Sequence, residues 1–360
     1  MEVLTPNQKR AKFEGANQSR PAFSAEDDLL RVRDLSVTFQ VGSGREASIL
    51  KRINFTVAPG EIVGLLGESG SGKTTLALSL MRMLPPVARV ADGSIEFHDR
   101  NLLILDARRL REVRGSEISI IYQDSDVLNP VMRVGDQIME VLRAHKKSPS
   151  AHMRDEVYSL LAELGFADCD RIFRSYPHQL SGGQRRRIAI AQALICRPRL
   201  VIADEPTAWL DSNTSGEILT LFARFRRDYG TAFLLISHDP ETLALADRAL
   251  VMYAGEIVEG GPLNELFTEP KHPYLKALLQ CRTFNGELDT GESRSSGNRH
   301  HRFPSIPGQA PDPSASFPGC CFSNRCADRM ETCDSHRPEL IAISPARAVR
   351  CFKYLDGERA

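Results

Sequence analysis

The first residues that could do chemistry form the glycine-rich stretch GESGSGKT at positions 67–74. This stretch fits the pattern G-x-x-x-x-G-K-[ST] of a phosphate-binding loop, whose glycines let backbone N–H groups point inward. Lys73 would reach the β- and γ-phosphates of a nucleoside triphosphate, and the Thr74 hydroxyl would ligate Mg²⁺. The other expected contacts in the loop are Gly67, Ser69, Gly70, Ser71, Gly72 and Thr75.

Two adjacent carboxylates, Asp204 and Glu205, end the apolar segment LVIADEP. A buried parallel strand of this kind would place them at the carboxyl edge of a sheet, beside the phosphate loop. Asp204 suits Mg²⁺, bound through water, and Glu205 could polarise the water that attacks the γ-phosphate. Such a pair alone is often only a solvated corner, but after a phosphate loop it predicts a hydrolysis site.

The elements that must position these residues alternate between apolar strands and helices. EIVGLLG predicts a strand at 61–66, followed by a helix over 73–84. Helical spacing covers 134–170, and RALVMYAGEIVEGG predicts a hairpin that turns at Ala254-Gly255. Further strands are predicted in LRVRDLSVTF, ILKRINFTV, GSIEFHD, ISIIYQD, RLVIAD and TAFLLISH. Together these patterns indicate an α/β domain with a mainly parallel sheet.

Composition excludes several classes of protein. Lys plus Arg and Asp plus Glu both number 46, so no basic field would recruit nucleic acid. No apolar run approaches the roughly 20 residues that span a bilayer, and the N-terminal sequence is not a secretory signal. We expect a cytosolic chain with a disordered segment at 1–29 and a linker at 284–319, rich in Ser, Gly, Arg and Pro.

A second helix N-terminus suited to anions is predicted by QLSGGQRRRIAIAQAL. With this element the chain resembles the ATP-binding-cassette ATPases over about residues 30–280. The resemblance implies that two cassettes pair head to tail and that the LSGGQ element of one closes on the γ-phosphate bound by the other. The residues implied in that contact are Ser181, Gly182, Gly183 and Gln184.

Four more residues match elements of this family in order. The resemblance implies that Phe39 stacks on adenine and that Gln123 links Mg²⁺ to a helical subdomain. It also implies that Asp211 lies in a loop that crosses the dimer and that His238 contacts the γ-phosphate. Taken alone, Phe39 fits a core or edge aromatic and His238 fits a satisfied strand-end histidine, so order and spacing carry the assignment.

The implied fold is a phosphate-loop α/β ATPase domain at 30–283, with an antiparallel β subdomain and a helical subdomain at about 124–200. The implied activity is hydrolysis of ATP with Mg²⁺, coupled to transport, by a chain that lies peripherally on the cytoplasmic face of the cell membrane. The implied partners are a second ATPase subunit, two transmembrane permease subunits and an extracytoplasmic substrate-binding protein, with no nucleic acid.

Soluble members of the same family, which act in translation or DNA repair, are the competing class. They usually carry two cassettes in one chain or a long coiled coil, whereas this chain has one set of motifs and no sustained heptads. ELFTEPKHPYLKALL (265–279) and SIPGQAPDP (305–313) resemble the dipeptide and oligopeptide importer group, which also includes nickel and sugar importers. Locally, Pro273 is predicted to begin a helix.

Five of the eight cysteines lie after residue 319. In a reducing compartment such a cluster favours a metal over a disulfide. The spacing Cys320-x5-Cys326-x6-Cys333-x17-Cys351 lacks the C-x2-C pairs of zinc ribbons and of common ferredoxins. Within the importer group it resembles the ligand set of a [4Fe–4S] cluster in a small Cys-rich domain at 320–360, with Cys321 as the extra thiol. Zinc bound by four thiolates, and free thiols, remain as alternatives.

Overall fold

The computed structural model describes residues 28–42, 44–123, 127–146, 149–286, 306–312 and 317–355. The predicted disordered segment at 1–29 and the predicted linker at 284–319 lie for the most part outside these residues. Within the part of the chain that is described, no helix is long and apolar enough to cross a membrane.

An antiparallel sheet of four strands opens the described chain. Its strands β1 (Leu30–Val41), β2 (Arg45–Val57), β4 (Ala88–Phe97) and β5 (Arg100–Asn101) lie in the order β2-β1-β4-β5. Apolar residues recur along β1 and are buried, whereas Arg33 between them is exposed. One face of this sheet therefore packs on the core, as the alternating pattern predicts.

The central sheet holds five parallel strands. They are β3 (Ile62–Leu66), β6 (Ile118–Ile121), β7 (Leu200–Asp204), β8 (Ala232–Ser237) and β9 (Arg248–Tyr253), in the order β9-β3-β8-β7-β6. Strand β8 thus lies between β3, which leads into the phosphate loop, and β7, which ends in the carboxylate pair. The carboxyl ends of all three strands meet at one edge of the sheet.

Both faces of the central sheet are covered, which explains why its strands read as unbroken apolar runs. In β8, Leu234 and Ile236 belong to the core shared with the antiparallel sheet. Phe233 and Leu235, on the opposite face, belong to the core shared with the helical region. The alternation of strand side chains therefore joins the two cores through one sheet.

Eleven α-helices complete the described chain. Helix α1 (Lys73–Leu80) follows the phosphate loop and ends four residues before the predicted limit of 84. The prediction was wrong there because the backbone leaves the helix at Arg82, whose φ is 48°. The other helices are α2 (Ala107–Val113), α3 (Val134–His145), α4 (Ser150–Glu163), α5 (Cys169–Arg174), α6 (Gly182–Leu194), α7 (Ser212–Tyr229), α8 (Pro240–Leu243), α9 (Leu263–Thr268), α10 (Pro273–Gly286) and α11 (Thr332–Ser335).

The predicted hairpin is present. Strand β9 turns at Ala254 and Gly255, with φ of 47° and 81°, into the antiparallel strand β10 (Glu256–Pro262). Two positive φ values form the turn that suits the twist of a hairpin. Glycine is required at the second position, because a Cβ there would lie 2.1 Å from the carbonyl oxygen of Ile49.

The cysteine-rich segment continues the central sheet. Its strand β12 (Arg347–Val349) pairs with β10, and β11 (Ile341–Ser344) pairs with β12. A buried ion pair between Arg347 and Glu259, with an N–O distance of 2.7 Å, joins β12 to β10. The separate domain at 320–360 remains a prediction, and β12, which lies inside it, pairs with β10, which lies outside it.

Candidate functional site

The phosphate loop connects β3 to α1 and is closed by its own lysine. Lys73 Nζ donates to the carbonyl oxygens of Gly67 at 2.8 Å and Glu68 at 2.9 Å. Burial lowers the pKa of Lys73, while the neighbouring carboxylates of Glu205 and Asp204 oppose that shift. Gly72 has φ of 104° just before the helix, a conformation that suits glycine. The loop therefore holds a buried cation at the N-terminus of α1.

A hydroxyl and a carboxylate meet beside this lysine. Thr74 Oγ1 donates to Asp204 Oδ2 at 2.8 Å, joining the start of α1 to the end of β7. Burial raises the pKa of Asp204, and the hydrogen bond from Thr74 opposes that effect. A hard cation placed here would relieve the burial cost of the carboxylate, and oxygen ligands of this kind are those that Mg²⁺ prefers.

The second carboxylate, Glu205, is tethered at three points. Ser237 Oγ donates to its Oε2 at 3.0 Å, the backbone N–H of His238 donates to Oε1 at 2.9 Å, and His238 Nδ1 lies 2.6 Å from Oε1. Glu205 itself has φ of 47°, a conformation uncommon for a non-glycine residue. The strand order explains these contacts, because β8 brings Ser237 and His238 directly beside the end of β7.

These groups line one cavity of about 620 Å³, which we call the nucleotide cavity. It brings together twelve of the residues that the sequence predicted: Phe39, Gly67, Ser69, Gly70, Gly72, Lys73, Thr74, Thr75, Gln123, Asp204, Glu205 and His238. Ser71 is buried behind the loop, where its Oγ lies 3.5 Å from Lys73 Nζ. The nucleotide cavity therefore brings together residues for which the sequence predicts contacts with phosphate, Mg²⁺ and adenine.

Another group of predicted residues lies in a different cavity of about 490 Å³. Ser181, Gly183, Gln184 and Asp211 line it, and the exposed Gly182 begins α6. Ser181 caps that helix by accepting from the backbone N–H of Gln184 at 3.2 Å. None of these residues lines the nucleotide cavity of the same chain. The LSGGQ element is thus formed but does not face its own phosphate loop.

Arg186 is a residue of the site that sequence reasoning missed. Its side chain is buried and donates to the backbone carbonyl oxygens of Gln123 at 3.0 Å, Glu205 at 2.6 Å and Pro206 at 2.9 Å. It also contacts the carbonyl oxygen of Tyr122. One guanidinium therefore joins α6, the helix that follows LSGGQ, to the backbone at Gln123 and to the backbone at Glu205 and Pro206. The sequence feature that could have indicated this role is the position of Arg186 on the same helix face as the buried apolar residues of the run RRRIAIAQAL.

The sequence also missed contacts on Glu68 of the phosphate loop. Its backbone N–H donates to the hydroxyl oxygen of Tyr274 at 2.8 Å, and its carboxylate pairs with Arg325 at 2.9 Å. Tyr274 stands in the segment PKHPYL, which the sequence indicated only as a helix entry and a family feature. That local interpretation is confirmed, since α10 begins at Pro273, but nothing in the sequence pairs Arg325 with the loop.

Four of the cysteines, Cys320, Cys326, Cys333 and Cys351, line one small cavity of about 10 Å³, which we call the thiol cavity. Cys321 points elsewhere, with its Sγ 3.9 Å from Glu256 Oε2. Burial, followed by the neighbouring thiols, raises the pKa of Cys320 to about 11. Among the described residues, no group of three or more His, Cys, Asp or Glu is arranged to hold a metal ion. The four predicted ligands thus share a cavity without converging on one point.

Two family models match the chain. The first, described as ABC transporter, covers residues 50–208, which include the phosphate loop, the LSGGQ element and the carboxylate pair. The fold is similar to a dimeric post-hydrolysis structure of the ATP-binding cassette MJ0796 bound to ADP and Pi, with a TM-score of 0.60 at 25% identity. That match covers 65% of this chain and 98% of the cassette. Fold and site therefore define an ATPase of the ATP-binding-cassette type.

The second family model, described as the C-terminal region of oligopeptide/dipeptide transporters, covers residues 258–333. The oligopeptide transport ATP-binding protein OppD of Salmonella typhimurium is 40% identical over 330 residues, which are 91% of this chain and 94% of the relative. The oligopeptide transport ATP-binding protein AppD of Bacillus subtilis is 39% identical over 306 residues, 84% of this chain and 90% of the relative. The chain belongs to the ATP-binding-cassette ATPases, in the oligopeptide/dipeptide transporter group.

Proposed function

We propose that the protein is the ATP-hydrolysing subunit of an importer of dipeptides and oligopeptides. The observation that carries the hydrolytic part is the tethered carboxylate of Glu205 beside Lys73 and the Thr74–Asp204 pair. The peptide part is supported by the relatives whose names describe oligopeptide transport and by the matching C-terminal region. Nickel and sugar importers share that group and are the alternatives for the cargo.

Hydrolysis in the nucleotide cavity assigns a task to each residue. Lys73 and the N–H groups of the loop hold the β- and γ-phosphates, and Phe39 stacks on adenine. Mg²⁺ bound near Thr74 and Asp204 would neutralise phosphate charge. Glu205 orients a water whose oxygen forms a bond to the γ-phosphorus while the bond to the bridging oxygen breaks. The proton lost by the water passes by way of Glu205 to the released phosphate.

The LSGGQ element would serve a second cassette. Ser181, Gly183 and Asp211 lie in a cavity apart from the phosphate loop of their own chain. The N-terminus of a helix, where the helix dipole is positive, suits the γ-phosphate of a partner cassette. The similar cassette MJ0796 is described as a dimer. We therefore include a head-to-tail pair of ATPase subunits in the proposal, with His238 and Gln123 contacting the nucleotide from the chain that binds it.

The proposed assembly also contains two transmembrane permease subunits and an extracytoplasmic substrate-binding protein. The ATPase would lie on the cytoplasmic face of the membrane and transmit the closure of the cassette pair through helices α3 to α6. Support comes from the two transporter family models that match the chain.

Glu205→Gln tests the hydrolytic assignment. The variant should lose at least about 100-fold in ATP turnover, because the amide cannot accept a proton from the water. It should still bind ATP and should accumulate as a dimer in its presence. Glu112→Gln, an exposed glutamate on α2, is the matched control and should turn over ATP like the parent protein. Turnover that survives the change at Glu205 would contradict the assignment.

Partner capture tests the transport assignment against the soluble class. Purification from detergent-solubilised membranes should recover two multi-spanning proteins with the ATPase, and uptake of labelled peptides should stop in cells that carry Glu205→Gln. Recovery of ribosomes or DNA instead would favour a role in translation or DNA repair. Uptake of nickel or sugar, but not peptide, would leave the ATPase in place and change the cargo.

The thiol cavity is proposed to hold a [4Fe–4S] cluster, with zinc as the alternative. Four thiols from one short segment are a chemically complete ligand set for either. Zinc needs four sulfurs at about 2.3 Å from a single ion, whereas these thiols line a cavity without converging on one point. The preference for a cluster over zinc therefore rests on the resemblance of the cysteine spacing to the importer group, and metal analysis has to decide it.

Metal and sulfide analysis of anaerobically purified protein tests this part. The cluster requires iron and acid-labile sulfide in roughly fourfold excess over protein, with a visible absorption band. Colourless protein with one equivalent of zinc would replace the cluster with the alternative. Protein that contains neither would leave free thiols and would not affect the ATPase assignment.

A further inference from the structure

We propose that Arg325, from the cysteine-rich segment, is a positioning residue for the phosphate loop and sets its affinity for nucleotide. The inference rests on the proposed function, because it assumes that the loop binds ATP. It goes further by assigning a task in nucleotide binding to a residue far along the chain, in a segment outside the ATPase motifs.

The contact between Arg325 and the loop is direct and shielded from water. Arg325 Nη1 lies 2.9 Å from Glu68 Oε2 and Nη2 lies 3.2 Å from Oε1, so both carboxylate oxygens are engaged. The arginine side chain is 8% exposed and that of Glu68 is 25% exposed. Two-point pairs of this kind fix orientation as well as distance. Exposed ion pairs contribute little, but this one is largely buried.

Glu68 is held at every polar group that it has. Its carboxylate binds Arg325, its N–H donates to the Tyr274 hydroxyl at 2.8 Å, and its carbonyl accepts from Lys73 Nζ at 2.9 Å. The same residue lines the nucleotide cavity. A shift of the Glu68 backbone would therefore move the carbonyl that positions Lys73, which is the residue expected to reach the β- and γ-phosphates.

Arg325 is itself anchored by its surroundings. It ends a short 3-10 turn, Ser323–Arg325, between Cys320 and Cys326 of the thiol cavity. Its Nε donates to the carbonyl oxygen of Pro307 at 2.9 Å, and its Nη1 lies 3.2 Å from the Tyr253 hydroxyl. All three guanidinium nitrogens therefore have partners in the fold, and the contacts with Pro307 and Tyr253 hold the group that binds Glu68.

Aromatic packing adds rigidity to the same contact. The Phe322 ring lies 5.2 Å from the Tyr253 ring and 5.5 Å from the Tyr274 ring. Three residues that meet Arg325 or Glu68 therefore pack against one another across the boundary between the ATPase sheet and the cysteine-rich segment. The segment acts on the nucleotide cavity through this packed contact, without lining the catalytic edge itself.

Nucleotide binding to the purified full-length chain tests the proposal, with a fluorescent ATP analogue as the probe. Arg325→Met should weaken binding about tenfold, a loss of roughly 1.4 kcal/mol. Glu68→Gln should have a similar effect, and the double variant should be little weaker than either single one. Arg325→Lys should recover only part of the affinity, because lysine cannot make the two-point contact. Arg329→Met, which breaks an exposed pair in the same segment, is the control.

Steady-state hydrolysis separates positioning from a general loss of structure. The proposal requires KM for ATP to rise with Arg325→Met while kcat stays within about twofold, at a temperature where thermal unfolding shows the variant folded. Unchanged nucleotide affinity in both Arg325→Met and Glu68→Gln, or effects that simply add, would overturn the proposal. If Arg325→Met fails to fold, Glu68→Gln and Arg325→Lys give the same decision. If the parent protein fails to bind the analogue, the proposed function itself is refuted. If the parent and the variants bind it equally well, only the role of Arg325 is refuted.

Discussion

The nucleotide cavity and the thiol cavity differ in what holds their side chains in place. Around the nucleotide cavity, parallel strands set the positions, and each charged group already has hydrogen-bond partners such as those of Lys73 and Glu205. Around the thiol cavity, short turns supply four thiols that share a space without meeting. The first cavity is organised by the fold, whereas the second would be completed only by the metal centre proposed for it.

The largest expected effect is a loss of stability when the buried arginine beside the nucleotide cavity is replaced. Arg186→Met should cost about 3 kcal/mol of unfolding free energy, because several buried carbonyl oxygens lose their donor. Chemical denaturation should show the loss, and ATP turnover should fall with it. Arg108→Met, on the exposed face of α2, is the control and should change stability by less than about 0.5 kcal/mol. If both changes lower the unfolding free energy equally, Arg186 does not organise the nucleotide cavity.

The next effect separates ligand binding from folding in the nucleotide cavity. Lys73→Met should weaken ATP binding about 100-fold, since charge-assisted contacts to two phosphates are lost. Its unfolding free energy should change by less than about 1 kcal/mol, because the cost of burying the ammonium disappears with its hydrogen bonds. Titration calorimetry and denaturation of the same sample measure both quantities. A variant that binds normally would contradict the phosphate assignment.

A matched pair of cysteines tests the thiol cavity. Cys333→Ser should remove one proposed ligand and cost about 2 kcal/mol or more, through lost metal as well as lost burial. Cys321→Ser changes an equally buried thiol that points away from the cavity, and should retain the metal. Metal content and thermal unfolding of the two variants decide the matter. Loss of metal from both would mean that the cavity does not define the ligand set.

The smallest effect is a pH dependence beside the thiol cavity. Burial lowers the pKa of His272 from 6.5 to about 3, so the folded protein holds this histidine neutral while the unfolded chain takes up a proton. Its contribution to stability is therefore complete above pH 6.5 and is lost as the pH falls towards 3. Between pH 7.5 and 5.5 the loss should be about 1.4 kcal/mol. His272→Gln should flatten this slope in pH-dependent denaturation, and His152→Gln, at an exposed position, should leave it unchanged.

The sequence predicts the elements around the nucleotide cavity better than it predicts the contacts made by the cysteine-rich segment. The strands, the hairpin at Ala254-Gly255 and the meeting of Thr74 with Asp204 are predictable, because buried parallel strands and phosphate loops have short-range signatures. The end of α1 was placed too late, since the left-handed backbone at Arg82 carries no glycine to announce it. Local sequence patterns predict helices and strands, but they misplace the end of an element where a single residue adopts an unusual backbone conformation.

Contacts between distant segments were beyond the sequence. Arg325 and Glu68 are 257 positions apart, and no periodicity connects them. Arg186 is one of three successive arginines in the sequence, and only the folded helix shows that it is the buried one. The four thiols were grouped correctly by proximity in sequence, but their role as ligands stays a prediction. Charged side chains buried by tertiary packing leave little trace in composition or spacing.

The pairing of β10 with β12 has a consequence for truncation. Strand β10 has β9 on one side and is covered on the other only by β12, from the C-terminal part of the chain. A chain cut before residue 317 would remove the strand that pairs with β10 at Glu259 and Gly260, and would leave the Val258 carbonyl oxygen without the Arg350 N–H. It would also deprive the buried Glu259 carboxylate of Arg347. Strand edges left unpaired recruit strands from other molecules. Shortening the protein to its ATPase motifs should therefore yield a species prone to self-association, and light scattering would detect it.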